Sequence, residues 1–364
     1  MMRVLQIIQK QQLRGAEIFA CQLSTELMLS GVTVDVVFLF PGEDKLSSKF
    51  PTLRFISLHA NRQKRFWDLD AYRRLSEIII EGRYDIVQAN AGDTLKYGVL
   101  SKMIHRWRAK LVFRNASQMS LFIRKPWQRV LNQWLLKKCD FIISVSENCR
   151  QDLIAFYPPA ATRSETITIG TYTFRDILPY SHEKREDIVL INMGSFVPEK
   201  NHTFLLTLMH AFHQKHPGSK LWLVGDGPLR KELEHRAEAL GLKDSVIFWG
   251  YRSDNIALLK AADVMVMPSK IEGLPGVILE AMITGVPVIA SAVGGIPEII
   301  KTGETGFVIS SFRVDDYMHA LESVLFDKVK RALITTNSEQ LMKEQFTLPS
   351  IATKFKRRYE QLLS

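Results

Sequence analysis

Short apolar runs recur along the chain, separated by stretches in which apolar positions return with helical spacing. Val4-Leu5-Gln6-Ile7-Ile8 is the first run and reads as a buried strand. A loop from about Gln11 to Gly15 follows, then a helix from about Ala16 to Ser30. Gly31 stops that helix, because glycine enters the left-handed turn at a helix end without a Cβ clash. Val34 to Leu39 is the next strand, and the alternation continues through Asp85-Ile86-Val87, Lys110-Leu111-Val112-Phe113 and Phe141-Ile142-Ile143-Ser144-Val145. A second series begins at Ile188-Val189-Leu190-Ile191 and includes Lys220 to Val224, Ser245 to Phe248, Val264 to Met267 and Pro287 to Ala290. Strands that alternate with helices predict a mostly parallel sheet. The expected fold class is α/β, with two Rossmann-like domains facing a cleft.

The polar stretch from Arg175 to Asp187 separates the two series. The expected organisation is a first domain over residues 1–175, a linker over 176–187, a second domain over 188–345 and a helical segment over 346–364. In open sheets of this kind, ligands lie beyond the carboxyl ends of the strands. The loops at Gly15, Asn90, Ser195, Gly225, Tyr251 and Glu272 all follow predicted strands and would gather there.

The most informative of these loops is Glu272-Gly273-Leu274-Pro275-Gly276-Val277-Ile278-Leu279-Glu280. It reads as an acid, a glycine-rich turn, and a helix that carries a second acid. Pro275 suits the first helical position, where its missing N–H costs nothing. The N–H groups of Gly276, Val277 and Ile278 would then face out of the helix start and form an anion site. Gly273 and Gly276 let a ligand approach the backbone closely. Glu280, further along the helix, can accept two hydroxyl hydrogen bonds, as a ribose diol would offer. An acid before a phosphate-binding turn and another after it suit a nucleotide-sugar. An ordinary loop-to-helix joint with two solvated glutamates fits the same residues.

The rest of the second half resembles the retaining glycosyltransferases of family four, which have the GT-B fold. The resemblance runs from about residue 188 to 310. It is carried by Gly194-Ser195-Phe196-Val197-Pro198-Glu199-Lys200-Asn201-His202, Leu223-Val224-Gly225-Asp226-Gly227, Val246 to Tyr251, Met267-Pro268-Ser269 and Gly294-Gly295-Ile296-Pro297-Glu298. The first half matches more loosely, through Arg14-Gly15-Ala16-Glu17 and Val145-Ser146-Glu147. The resemblance implies that Glu272 lies beside the donor sugar, that Glu280 holds the ribose and that Lys200 is a cation on the diphosphate. Preorganised donors aimed at the leaving diphosphate contribute most to such a transfer. The family usually has an arginine where Ser195 stands, and two glycines where this chain has Arg14 and Gly15. Tyr251 is a candidate base contact or a rim tyrosine. Histidines that relatives carry after the middle strands of the first domain are replaced by Asn90 and Asn115. These become candidate acceptor contacts, or strand-end caps. The resemblance also implies that the last helix, Ile351 to Leu363, crosses back onto the first domain.

Charge changes the picture for the first half. Residues 1–175 hold 26 Lys and Arg against 15 acids, a net +11, and the remainder nets −1. Such asymmetry points to an anionic partner: a membrane surface or a phosphorylated acceptor. Nucleic acid is not expected, since no stacking-aromatic pattern accompanies the cations. The segment Pro126 to Lys138 places apolar residues at 127, 130, 131, 134 and 135 among Arg124, Lys125, Arg129, Lys137 and Lys138. It reads as a helix whose stripe faces either the core or a lipid interface. No apolar run approaches the ~20 residues of a membrane span. Three cysteines without metal spacing and no leader pattern suit a reducing cytoplasm. Asp68-Leu69-Asp70 resembles a metal-binding Asp-x-Asp but reads better as a helix cap.

The expected function is metal-independent, retaining transfer of a hexosyl or N-acetylhexosaminyl group. The donor would be a nucleotide-sugar, UDP-linked rather than GDP-linked, with no further cofactor. The acceptor would be lipid-linked or a saccharide, in polysaccharide or glycolipid assembly at the inner face of the cell membrane. A soluble acceptor and a non-catalytic partner protein that kept the fold are the rivals. A dehydrogenase would need a Gly-x-Gly-x-x-Gly after the first strand, which is missing.

Overall fold

The structure is a computed structural model that describes residues 1–42, 45–64, 67–123, 125–174, 176–180 and 187–364. The chain forms two compact units. One comprises Met1–Gly170 with Leu348–Ser364, the other Thr171–Thr347.

The first unit is built on a parallel sheet of seven strands: β1 (Arg3–Lys10), β2 (Thr33–Phe40), β3 (Arg54–Ser57), β4 (Ile86–Ala89), β5 (Lys110–Asn115), β6 (Phe141–Ser144) and β7 (Ser164–Thr166). Their spatial order is β3-β2-β1-β4-β5-β6-β7. The two edge strands, β3 and β7, carry no clear strand signal in the sequence. Their sequences, Arg-Phe-Ile-Ser and Ser-Glu-Thr, lack the continuous apolar run of a strand buried on both faces. One face of the sheet carries the larger core, with Leu5, Ile7, Tyr72, Tyr97 and Leu111. The other is covered by the helix Gly15–Leu29 and by the helix Leu348–Leu363.

The helix Leu348–Leu363 buries Ile351, Phe355 and Tyr359, which recur every four residues along one face. The Phe355 ring packs on Phe19 at 6.1 Å. Below it lies a polar cluster in an otherwise apolar interior. Gln6 and Gln88 are register partners on β1 and β4. Gln88 donates to Gln6 at 3.0 Å, and the Tyr359 hydroxyl donates to Gln88 Oε1 at 2.6 Å. Arg358 pairs with Glu165 on β7, and Lys356 donates to the Ser30 carbonyl at 2.8 Å.

The second unit repeats the plan with β8 (Val189–Met193), β9 (Lys220–Val224), β10 (Val246–Gly250), β11 (Val264–Met267), β12 (Val288–Ser291) and β13 (Phe307–Ile309). Their order is β10-β9-β8-β11-β12-β13, all parallel. The described part of the polar stretch between the two series folds onto this unit. Tyr180 sets its ring edge-on to Trp222 at 6.3 Å and Trp249 at 5.4 Å, and its N–H donates to the Ala257 carbonyl at 2.9 Å. Residues 181–186 of the expected linker, and Arg124 beside the basic helix, lie outside the described residues. Among the described residues no helix is long and apolar enough to cross a membrane.

Candidate active site

In the second sheet the strand order reverses between β8 and β11, so the loops leaving these neighbours run apart and leave a crevice at their carboxyl ends. Both key residues sit on its walls. The loop after β8 tightens into the turn Pro198–Lys200, and the loop after β11 carries Glu272. Lys200 Nζ donates to Glu272 Oε1 at 2.6 Å. Glu272 is only 8% exposed, so its charge is matched by a hydrogen-bonded cation, as burial requires. The lysine stem runs beside Gly194, where a Cβ would lie at van der Waals distance, 3.5 Å from Lys200 Cε.

The walls are tied to each other through main chain. Lys270 N–H donates to the Glu199 carbonyl at 2.7 Å, and the buried Asn192 amide donates to the Val266 carbonyl at 2.7 Å. After β12 the Gly294-Gly295 turn closes on the acidic loop, with Gly295 N–H donating to the Gly273 carbonyl at 2.6 Å. Gly294 has φ +57°, and a Cβ there would stand 2.1 Å from the Glu272 carbonyl oxygen. The loop after β9 packs from the other side, since Phe196 N–H donates to the Asp226 carbonyl at 3.0 Å. Tyr251, at the end of β10, reaches that carbonyl with its hydroxyl at 3.4 Å and is half exposed. The loops after β8, β10 and β11 thus bring Ser195, Lys200, Tyr251 and Glu272 to Val277 to one edge, and the loops after β9 and β12 pack against them.

The helix after the acidic loop spans Gly276–Ile283. Pro275 is its N-cap residue, with φ −78° and ψ 120°, one position earlier than expected. Ile278 N–H donates back to the Pro275 carbonyl at 3.1 Å, which leaves Gly276 and Val277 as the donors at the helix start. Gly273 and Leu274 are buried beneath them. Glu280 lies four residues along the same helix, about 6 Å further on at 1.5 Å per residue. Next to Lys200, Asn201 holds a left-handed backbone at φ 55° and starts the helix His202–Lys215. His202 is 1% exposed against the Phe196 ring, and among the described residues neither ring nitrogen has a hydrogen-bond partner. Burial, then the nearby Lys200 charge, lowers its pKa to about 4. Sequence reasoning gave His202, Gly294 and Lys270 no role. The runs Pro198 to His202 and Gly294 to Glu298 mark the first two of these.

In the first unit, Gly15 begins the helix after β1 and is exposed, and a Cβ there would meet nothing within 4 Å. The fold therefore does not demand glycine at that point. Asn90 and Asn115 are buried, and their amides are already engaged. Asn90 donates to Gln6 at 2.9 Å and to the Ile7 carbonyl at 3.2 Å. Asn115 donates to Ser144 at 3.3 Å and to the Cys149 carbonyl at 3.1 Å. In this arrangement both amides bond to groups at neighbouring strand ends. Asp68 stands at the N-cap of the helix Leu69–Glu81, but its carboxylate makes no capping bond. It accepts from Asn61 N–H at 2.6 Å and from the Tyr97 hydroxyl at 3.3 Å, while Asp70 lies exposed near Lys64. The two carboxylates thus have separate duties. Among the described residues no group of three or more His, Cys, Asp or Glu is placed to share an ion.

Comparison with known proteins agrees with this architecture. Residues 175–341 match the model of the glycosyl transferases group 1, and residues 13–172 match that of glycosyltransferase family 4. A Vi polysaccharide biosynthesis protein, VipC/TviE, of Salmonella typhi is 32% identical over 172 residues, 46% of this chain and 30% of its own. The UDP-Gal:alpha-D-GlcNAc-diphosphoundecaprenol alpha-1,3-galactosyltransferase of Escherichia coli is 35% identical over 149 residues, 40% of this chain and 38% of its own. The chain thus spans well under half the length of these two relatives. The crystal structure of HepE from Anabaena, in complex with UDP and glucose, superimposes with a TM-score of 0.86 at 21% identity, over 99% of this chain and 100% of that one. Sucrose-phosphate synthase from Thermosynechococcus elongatus gives 0.85 at 20% identity, over 100% and 99%. Two parallel Rossmann-like units, an acid-and-lysine pair at the switch point of the second and family matches over both halves have one reading: the chain belongs to the family-four glycosyltransferases of the GT-B fold.

Proposed function

We propose that the protein transfers a sugar, with retention, from UDP-sugar to a lipid-linked or saccharide acceptor in polysaccharide or glycolipid assembly, without a metal ion. The observation that carries this reading is the Lys200–Glu272 pair at the switch point, beside a helix start with Glu280 further along. In the reaction the bond from the anomeric carbon to the diphosphate breaks and a bond to the acceptor oxygen forms. Lys200 and the N–H groups of Gly276 and Val277 take up the charge that develops on the leaving diphosphate. Glu272 stands by the sugar and Glu280 by the ribose. The acceptor proton passes to a diphosphate oxygen, so no separate protein base is needed, in keeping with the engaged amides of Asn90 and Asn115. Ser195 offers only a hydroxyl where the family has an arginine. Lys270 is exposed, and its main chain is bonded to Glu199 on the crevice wall. The E. coli relative's UDP-Gal donor and its diphosphoundecaprenol-linked acceptor support UDP and a lipid-linked acceptor here.

Binding of free UDP and hydrolysis of UDP-sugars test the reading. Glu280→Ala should weaken UDP by roughly 10- to 100-fold, the ~1.5–3 kcal/mol of a hydrogen bond to a charged group. Unchanged affinity would remove Glu280 from the ribose. Chelator should leave turnover intact, and a loss restored by Mg²⁺ would overturn metal independence. The serine at 195 favours one rival, a non-catalytic partner that kept the fold. Absence of turnover with every donor, despite nucleotide binding, would decide for it.

A further inference from the structure

One stretch of the first unit has a charge pattern that sugar transfer leaves unexplained. Between Asp93 and Asp140 the sequence holds eleven lysines and arginines and no acidic residue. That matches the whole net excess of the first half. Within this stretch the loop after β5 and the following helix, Pro126–Lys137, expose apolar side chains that the core does not use. Met119 and Ile123 pack inward. Between them, Leu121 is 41% and Phe122 52% exposed. In the helix only Leu135 and Leu136 are buried, while Trp127 is 59% and Val130 67% exposed. Three residues apart, Trp127 and Val130 share one face. Lys125 and Arg129, both exposed, alternate with them in sequence, and the Arg129 guanidinium also lies over the Phe156 ring at 5.4 Å. The expected stripe is therefore core-facing at its end and open at its start. The open part follows β5, at the same carboxyl edge of the sheet as Gly15.

We propose that Leu121, Phe122, Trp127 and Val130 form a wedge that docks this unit on an anionic phospholipid bilayer. The apolar side chains enter the boundary between headgroups and acyl chains, and Lys125 and Arg129 lie on lipid phosphates. Tryptophan suits that depth, because its ring is apolar and its N–H polar. The proposal rests on the lipid-linked reading of the acceptor and supplies the surface that brings the acceptor domain to it. Charge decides the occupant. Asp152 lies beside the patch and accepts from Ser120 N–H at 3.1 Å, but a second copy of this chain would still set the exposed Lys125 and Arg129 against their own copies, and like charges across an interface repel. A bilayer with anionic headgroups offers opposite charge and an apolar interior together.

The full-length protein is sedimented with vesicles of phosphatidylcholine alone or mixed with phosphatidylglycerol, at low and high salt. Three proteins are compared: the native chain, W127S/V130S, and K125E/R129E. All substituted positions are exposed, so free UDP affinity should not change; K125E/R129E also loses the contact of Arg129 with the Phe156 ring, so a modest fall in its melting temperature is expected and binding is compared well below it. The native chain should bind the mixed vesicles, bind neutral vesicles little, and lose binding as salt rises. K125E/R129E should bind at least about 20-fold more weakly. W127S/V130S should also weaken, and what binding remains should be more sensitive to salt. Equal binding by all three would overturn the wedge, as would no binding of the native chain at low salt. Self-association abolished by W127S/V130S, without vesicle binding, would assign the face to a second copy instead. Vesicle binding without turnover of any UDP-sugar would leave the wedge standing and overturn the transferase reading. Turnover on a soluble acceptor without vesicle binding would do the reverse.

Discussion

Lys200 and Glu272 pair with one another in the structure, so under the proposed function a diphosphate entering the crevice competes with the carboxylate for the ammonium. Glu272→Gln removes that competitor and keeps a hydrogen-bond acceptor beside the lysine. Free UDP should then bind as tightly as before or a few-fold more tightly, while sugar transfer falls by about 100-fold or more. Calorimetric titration with UDP and a transfer assay separate the two effects. A substantial loss of UDP affinity would make Glu272 a nucleotide ligand rather than a partner of the sugar. His202, beside this pair, carries a second prediction. Its folded-state pKa of about 4 lies below the ~6.5 of an exposed imidazole, so the unfolded chain takes up the proton first as pH falls. Its contribution to stability is full above about pH 6.5 and is lost as pH drops towards 4, on the order of 3 kcal/mol in all. Melting followed across this window should fall more steeply for the native chain than for His202→Gln. Parallel curves would trace the loss to other groups.

At the scale of elements, the proposed donor site depends on one turn that belongs to none of its proposed ligands. Gly294→Ala would place a Cβ 2.1 Å from the Glu272 carbonyl oxygen and 2.7 Å from that of Gly273, on a left-handed backbone. The backbone alone costs about 1–2 kcal/mol, and relief of the overlap must push the acidic loop. The variant should melt lower and lose donor turnover together. Unchanged turnover at a lowered melting temperature would show that the loop tolerates displacement. Sequence alone revealed much of this edge, since Glu272, Pro275 and Glu280 follow an apolar strand at the spacing of a turn and a helix. The central strands were equally plain, because burial on both faces writes continuous apolar runs. Polar residues inside the first unit were not readable in this way. Asn90 and Asn115 follow strands just as ligand-binding residues do, and their tertiary partners, Gln6, Ser144 and the Cys149 carbonyl, are visible only in the fold. The stripe from Trp127 to Leu135 has uniform helical spacing. Which part of it is covered depends on neighbours that spacing does not encode.

On the scale of the whole molecule, the two units differ in how the chain completes them. Thr171–Thr347 is continuous, whereas the first unit needs both Met1–Gly170 and Leu348–Ser364. Residues 171–347 expressed alone should therefore fold cooperatively and bind UDP. Residues 1–170 alone should be poorly soluble or partly unfolded, and should recover when a peptide of residues 348–364 is supplied. Circular dichroism with and without the peptide checks this, and a cooperative transition for 1–170 alone would contradict it. Tyr359 is the residue whose loss should matter most in that peptide, since its hydroxyl meets Gln88 in a closed interior. The same discontinuity sets a timetable during synthesis. At ~5–20 residues per second the ribosome adds Leu348 roughly 10 to 35 seconds after Gly170. For that interval Gln6, Gln88 and the face of Phe19 that Phe355 will cover stand open to chaperones and proteases. The half of the protein that is made first is thus the half that is finished last.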